Sequence, residues 1–253
     1  MGKVVDMAGI ASKPKLWREK SMSLPFPPGC QHPLVVWAIL EVAEELGIEG
    51  KMIFLGGTGD AIEVPALVDI DAMQCPHGRA PDVASMMKRV LGNEAVIITY
   101  QDDDDCIAIG TETLFHSATR GEKITVIMAN SGSYVSSGWQ MASSGGKLTA
   151  PPIGQPPVTM PYNIIDILCG MKGVVYTARG AVTNRANYQQ VKAYIKTAIQ
   201  KQMSGEGFSF VEVMIAAPVR WGLSLEDSVR WIEEKLIPQY PLGEFKNIAK
   251  VKS

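Results

Sequence analysis

The sequence predicts a single α/β domain in which a mostly parallel sheet is covered by helices on both faces. Three observations predict it. Short, continuous apolar runs alternate with segments whose apolar residues recur at helical spacing. That is the pattern of strands buried on both faces and joined by crossover helices. Gly47, Gly92 and Gly121 close three of the helical segments, as glycine does at helix ends. No internal repeat or linker divides the 253 residues, a length that suits one large domain.

The elements follow in order. Residues 1–24 read as an irregular arm, and residues 25–253 as the domain. "PFPPGCQHP" is a Pro-rich entry loop, after which "LVVWAILEVAEELG" predicts a helix over 34–47. "KMIFLGG" predicts a short buried strand ending in glycines. "APDVASMMKRVLG" predicts a helix over 80–92, and "EAVIITY" a strand over 94–100. "CIAIGTETLFHSATRG" predicts a helix over 106–121, and "KITVIMA" a strand over 123–129. A loop of roughly 28 residues follows Ala129, rich in Ser and Gly; a loop of that length in a domain is usually functional. Helix 162–173, strand 174–180, helix 187–203 and strand 208–216 come next. The last helix, 224–236, begins with Ser224 three residues before Asp227, close to a capping pattern.

Composition narrows the function. A net charge of −2 gives no case for nucleic acid or for an anionic membrane surface. No apolar run reaches 18 residues, so no membrane-spanning helix is expected. The first residues lack the apolar core of a signal peptide, and Lys3 with no Ser or Thr at position 6 argues against myristoylation. The expectation is a cytoplasmic protein. Cys30, Cys75, Cys106 and Cys169 show no C-x-x-C spacing. A zinc or iron–sulfur site from this chain alone is not expected.

The stretch "VIITYQDDDDCIAIG", residues 96–110, sets four acids between two core-like runs. In a parallel sheet, ligands gather beyond the carboxyl ends of the strands. Three polar or glycine-rich loops leave strand ends here: "GGTGD" (56–60), "QDDDD" (101–105) and "NSGSY" (130–134). The last two follow consecutive strands and would lie side by side. One Asp, Ser131 and a backbone carbonyl would give a hard divalent cation its oxygen ligands. A helix starting at Cys106 would offer backbone N–H groups to phosphates. The competing reading is an acidic first helical turn, favourable by about 0.3–1 kcal/mol per exposed acid through the helix dipole. Four acids in a row exceed what a helix start requires. Both readings stand on pattern alone.

The motifs, taken together, resemble the thiamine-diphosphate-binding β subunit of the 2-oxoacid:ferredoxin oxidoreductases. "FPPGCQH" (26–32) is similar to the family's Phe-Cys-Pro-Gly-Cys-Gly-His, and "GTGD" (57–60) to its Gly-Ile-Gly-Cys. "HGRA" (77–80) matches its His-Gly-Arg-Ala. "QDDDDCIAIG" (101–110) resembles Gln-Gly-Asp-Gly-Asp…Ile-Gly, and "YVSSGWQ" (134–140) resembles Tyr-Gly-Met-Thr-Gly-Gly-Gln. The five matches stand in order, and the similarity runs from about Phe26 to about Ala217.

The resemblance implies the thiamine-diphosphate-binding fold of the diphosphate-binding type. It implies Mg²⁺ held by Asp103, the Ser131 side chain and the Ser133 carbonyl. It further implies thiamine diphosphate beside Cys30, Gly59, Asp60, Asp102, Asp104, Asp105, Asn130, Tyr134 and Gln140, with catalytic roles for His32 and His77. The implied reaction is oxidative decarboxylation of a 2-oxoacid, with coenzyme A as acceptor. The implied partner is a pyrimidine-domain, alpha-type subunit that supplies the activating Glu.

Two departures qualify the resemblance. Of the family's four cluster cysteines, only Cys30 is kept; Pro27, Asp60 and Ala217 stand at the others. A cubane cluster requires four ligands, so no [4Fe–4S] cluster is expected in this chain. Two glycines of the diphosphate loop are Asp102 and Asp104. At ~5 Å and an effective dielectric near ~20, each added charge pair costs ~3 kcal/mol, unless a cation or outward-turned side chains relieve it. The departures keep two other readings open: a non-oxidative 2-oxoacid decarboxylase subunit, and a non-catalytic assembly or ligand-binding domain.

Overall fold

Among the described residues, seven strands form one sheet in the order β2-β1-β3-β4-β6-β5-β7. They are β1 (Met52–Gly56), β2 (Asp71–Gln74), β3 (Val96–Asp102), β4 (Thr125–Asn130), β5 (Val174–Ala181), β6 (Phe208–Met214) and β7 (Gly243–Asn247). All neighbouring pairs are parallel except β5 with β7. The computed structural model describes residues 10–18, 26–132 and 163–248.

The alternation along each central strand assigns residues to two cores. Phe54 of β1, Ile98 and Tyr100 of β3 and Ile127 of β4 meet α1 (His32–Leu46) and α5 (Arg185–Met203) on one face. Leu55, Ile97, Val126 and Met128 point the other way. There they meet α2 (Ala80–Leu91), α3 (Thr111–Arg120) and α4 (Ile164–Cys169). Strands β3, β4, β5 and β6 are buried along their whole length, which is why they read as mostly apolar runs without strict polar alternation. Among the described residues, residues 10–18 lie on the domain rather than away from it: Trp17 is buried and packs edge-on against Trp37 at 6.0 Å.

Local chemistry explains the helix ends. Gly47 and Gly121 adopt the left-handed conformation and cap α1 and α3. Asn184 caps α5 by accepting from the Asn187 N–H, and Ser224 caps the helix Leu225–Trp231 by accepting from the Asp227 N–H. Three elements depart from the expectations. Strand β2 is short and mostly exposed, and β7 is an antiparallel edge strand with exposed residues. Neither carries an apolar run, so periodicity does not reveal them. The segment expected to be helical from Cys106 begins as a π-helical turn, Asp104–Ile109, before α3.

The strand order positions the site. From β1 the chain moves outward to form β2, then returns to lay β3 on the other side of β1. That reversal opens a crevice beyond the carboxyl ends of β1 and β3, the place where open α/β sheets bind ligands. The glycine-rich turn after Gly56, the acidic run and the turn after β4 all leave the sheet at this end.

Candidate active site

Strand β3 runs through Asp102, so the acidic run starts inside the sheet and leaves it through the π-helical turn. All four acids are buried, and each has a different role. The Asp102 carboxylate accepts the backbone N–H of Asp60 at 2.5 Å and of Ala61 at 3.1 Å. It thus holds the start of the 3-10 turn Asp60–Ala66 that follows β1. Gly59, with φ of 96°, has no room for a side chain, because a Cβ there would overlap an Asp102 carboxylate oxygen. Asp104 accepts the Asp105 N–H at 2.9 Å. Asp105 binds three neighbouring segments together. It accepts from Thr58 N–H at 3.3 Å, from Gly78 N–H at 2.7 Å and from Gln101 Nε2, and it meets His77 Nδ1.

Asp103 points between the strands. Its Oδ1 accepts the Ser131 backbone N–H at 3.2 Å and the Ser131 hydroxyl at 3.3 Å. Its Oδ2 is buried and has no hydrogen-bond partner among the described residues. Burial, and then the neighbouring Asp104 charge, push the Asp103 carboxyl up to about 8. Asp102 is raised as well, first by burial and then by Asp60. Removal from water disfavours the charged form, and the chain leaves this cost standing at Asp103. A carboxylate with an oxygen to spare beside a serine hydroxyl is an all-oxygen donor set suited to a hard dication.

The remaining site residues gather at the same edge. His32 opens α1, with Nδ1 2.6 Å from the Tyr100 hydroxyl. Its Nε2 lies 3.6 Å from Asp60 Oδ2 and 3.9 Å from Asp102 Oδ1, and burial lowers its pKa to about 4. Cys30, two residues before it, is buried, and burial raises its thiol to about 12. Arg220 pairs with Asp60. Asn130, at the end of β4, donates to Glu212 Oε1 at 2.7 Å and accepts from the Gly132 N–H at 2.8 Å. The structure thus brings together Cys30, His32, Gly59, Asp60, His77, Asp102, Asp103, Asp104, Asp105, Asn130 and Ser131. Ser133, Tyr134 and Gln140 lie outside the described residues.

A model of the thiamine pyrophosphate enzyme family, C-terminal TPP-binding domain, matches residues 63–213. The chain belongs to this family. The match takes in the acidic run, the Asn130–Ser131 turn and most of strands β3 to β6, so the Asp103–Ser131 side of the site lies in a TPP-binding domain, and Cys30, His32, Gly59 and Asp60 precede the matched residues. The chain is 30% identical over 224 residues to ketoisovalerate oxidoreductase subunit VorA of Methanothermobacter thermautotrophicus, covering 87% of this chain and 47% of that one. The chain spans about half the length of that relative. It is also 28% identical over 262 residues to 2-oxoglutarate synthase subunit KorB of Methanocaldococcus jannaschii, covering 93% and 92%. The fold matches a solved structure described as 2-oxoglutarate:ferredoxin oxidoreductase from Magnetococcus marinus with 2-oxoglutarate, coenzyme A and succinyl-CoA bound. That match has a TM-score of 0.76 and 21% identity, and covers 99% and 88% of the two chains. Among the described residues no helix is long and apolar enough to cross a membrane.

Tyr100 escapes a motif reading, because it sits in an apolar strand and reaches His32 only through packing. Thr58 and Gln101 lie inside quoted motifs, but only the fold shows that both bond to Asp105. Arg179 and Glu212 had a usable signal, since each is a lone charge inside an apolar run. The strands they occupy set them directly opposite each other in register.

Proposed function

We propose that this chain is the thiamine-diphosphate-binding, beta-type subunit of an enzyme that oxidatively decarboxylates a 2-oxoacid in the cytoplasm. The observation that carries the reading is the buried Asp103 Oδ2, unpartnered among the described residues and set beside Ser131 at the carboxyl ends of β3 and β4. Mg²⁺ fits that oxygen set, with Asp103 and Ser131 as side-chain ligands and Ser133 as a carbonyl ligand from residues outside those described. Thiamine diphosphate would supply the electron sink that stabilises charge at the substrate carbon. Residues 25–253 form the cofactor domain in this reading, and residues 1–24 an arm.

The chain's own residues then have distinct tasks. Asp105 and Asp102 hold the turns at 57–61 and 77–78 as walls of the crevice, through backbone N–H groups. Asp102 thereby turns its carboxylate toward backbone donors, which offsets part of the repulsion from its acidic neighbours. Asp104 lies close to Asp103 and adds negative charge that a dication offsets. The Asp105-bound His77 is positioned to hold or move a proton at the crevice, while His32 lies buried against the Tyr100 hydroxyl. Of Pro27, Cys30, Asp60 and Ala217 only one is a thiolate ligand, so the chain holds no [4Fe–4S] cluster in this reading.

Support for a hetero-oligomer comes from relatives named as subunits. A pyrimidine-domain subunit would bring the activating Glu. Coenzyme A as acceptor is supported by its presence with a 2-oxoacid in the Magnetococcus relative. The test is an assay of the co-purified complex, in which 2-oxoacid- and coenzyme A-dependent reduction of a low-potential dye should require both subunits, Mg²⁺ and thiamine diphosphate. Carbon dioxide release without dye reduction would favour a non-oxidative decarboxylase. Full activity of the isolated chain would rule out the shared site.

A further inference from the structure

We propose that Cys30, His32 and Asp60 form a second metal site, in addition to the one at Asp103, which takes a single zinc-class transition-metal ion. The three residues each offer one ligand atom, and these atoms lie within 4.8 Å of one another. They come from separate pieces of chain that the fold brings together. Cys30 follows Gly29, whose φ of 82° turns the chain into α1. His32 is the first residue of α1, and Asp60 stands in the turn after β1.

His32 is prepared as a ligand. The Tyr100 hydroxyl occupies Nδ1 at 2.6 Å, and such a partner fixes ring orientation in metal-bound histidines. Nε2 is then the atom aimed at Asp60 Oδ2 and Asp102 Oδ1, at 3.6 and 3.9 Å. Both separations exceed a hydrogen bond, and the ring is buried. Nε2 therefore makes no hydrogen bond to either carboxylate, whereas a cation between them bonds to both sides. With Zn–S of about 2.3 Å and Zn–N and Zn–O of about 2.0–2.2 Å, the three atoms need only a modest inward shift.

The donor set selects the ion. One thiolate, one imidazole and one carboxylate suit Zn²⁺, while Mg²⁺ prefers oxygen alone. Asp102 can add a fourth oxygen, or that position stays open on the side of Asp60, the one partly exposed member. Binding releases the Cys30 proton to solvent as the S–metal bond forms. Arg220 now pairs with Asp60 Oδ2 and would shift to the other carboxylate oxygen when the ion takes this one.

The full chain, stripped of metal, is titrated with Co²⁺ alone, which reports tetrahedral thiolate coordination by its spectrum. One equivalent should give a sulfur-to-cobalt charge-transfer band in the near ultraviolet and d–d absorption in the visible, both lost on adding Zn²⁺ and kept in excess Mg²⁺. Cys30→Ser should lose the charge-transfer band, and Cys75→Ser should keep it. Tyr100→Phe should keep the band and weaken Co²⁺ binding by about 10–100-fold, a readout independent of whether Cys30→Ser folds. No such band in the parent chain overturns the proposal. So does a band that survives Cys30→Ser, one that Mg²⁺ removes, or unchanged affinity in Tyr100→Phe. The Mg²⁺-dependent binding of thiamine diphosphate is measured separately, so either site can fail without the other.

Discussion

Two buried charged clusters lie a few strands apart and are treated in opposite ways. Between β5 and β6, Arg179 and Glu212 are almost fully buried and satisfied within the chain. Arg179 Nε donates to Glu212 Oε2 at 2.7 Å and Nη2 to Asn163 Oδ1 at 2.6 Å. The Tyr240 and Phe245 rings lie 5.4 Å from the guanidinium. Glu212 Oε1 takes the Asn130 amide. At the end of β3, Asp103 is as deeply buried, yet one of its oxygens has no donor among the described residues. A buried charge that the fold satisfies holds the architecture. A buried charge left short is a place where the protein expects something from outside. The two are linked, because Glu212 steadies Asn130, the neighbour of Ser131.

The comparison breaks or sharpens under four changes. Glu212→Ala should have the largest effect, costing about 3–5 kcal/mol in denaturant unfolding, because Arg179 is left buried without its counter-charge. Asp103→Asn should leave stability almost untouched. The metal-free protein should keep its unfolding midpoint near neutral pH, since burial already holds this carboxyl largely protonated, at about 8, and an amide of the same shape replaces it. Mg²⁺-dependent binding of thiamine diphosphate should weaken about a hundredfold by calorimetry, or about 2.7 kcal/mol. Asp102→Ala strips two backbone N–H groups of their acceptor and should cost about 1–3 kcal/mol of stability. Arg18→Ala removes an ion pair with Asp69 whose partners are at least half exposed. It should move the midpoint least, by less than about 1 kcal/mol. A loss at Arg18 equal to that at Glu212 would mean that burial does not set the scale.

Most of the fold is legible in the sequence, because buried parallel strands and glycine-ended helices carry their pattern locally. Strands β3, β4, β5 and β6 read directly from their apolar runs. Strands β2 and β7 do not, since an exposed edge strand has no apolar face to repeat. The site is legible in part. Spacing alone brought the acidic run and Ser131 to neighbouring strand ends. It did not show how the four acids divide their work, because four identical residues give no hint of which carboxylate meets a backbone N–H. Asp102 reads as repulsion in the sequence and acts as an acceptor in the fold, since the turn at Gly59–Ala61 arrives from another part of the chain. Tyr100 reads as a strand residue, and only the packing of α1 shows its hydroxyl at His32.

The account depends most on the ion at Asp103. The direct measurement is a calorimetric titration of thiamine diphosphate into the parent chain and its Asp103→Asn form, each with and without Mg²⁺. The predicted result is Mg²⁺-dependent binding in the parent chain and about a hundredfold weaker binding in the variant. Equal binding by both forms, or binding indifferent to Mg²⁺, would contradict it.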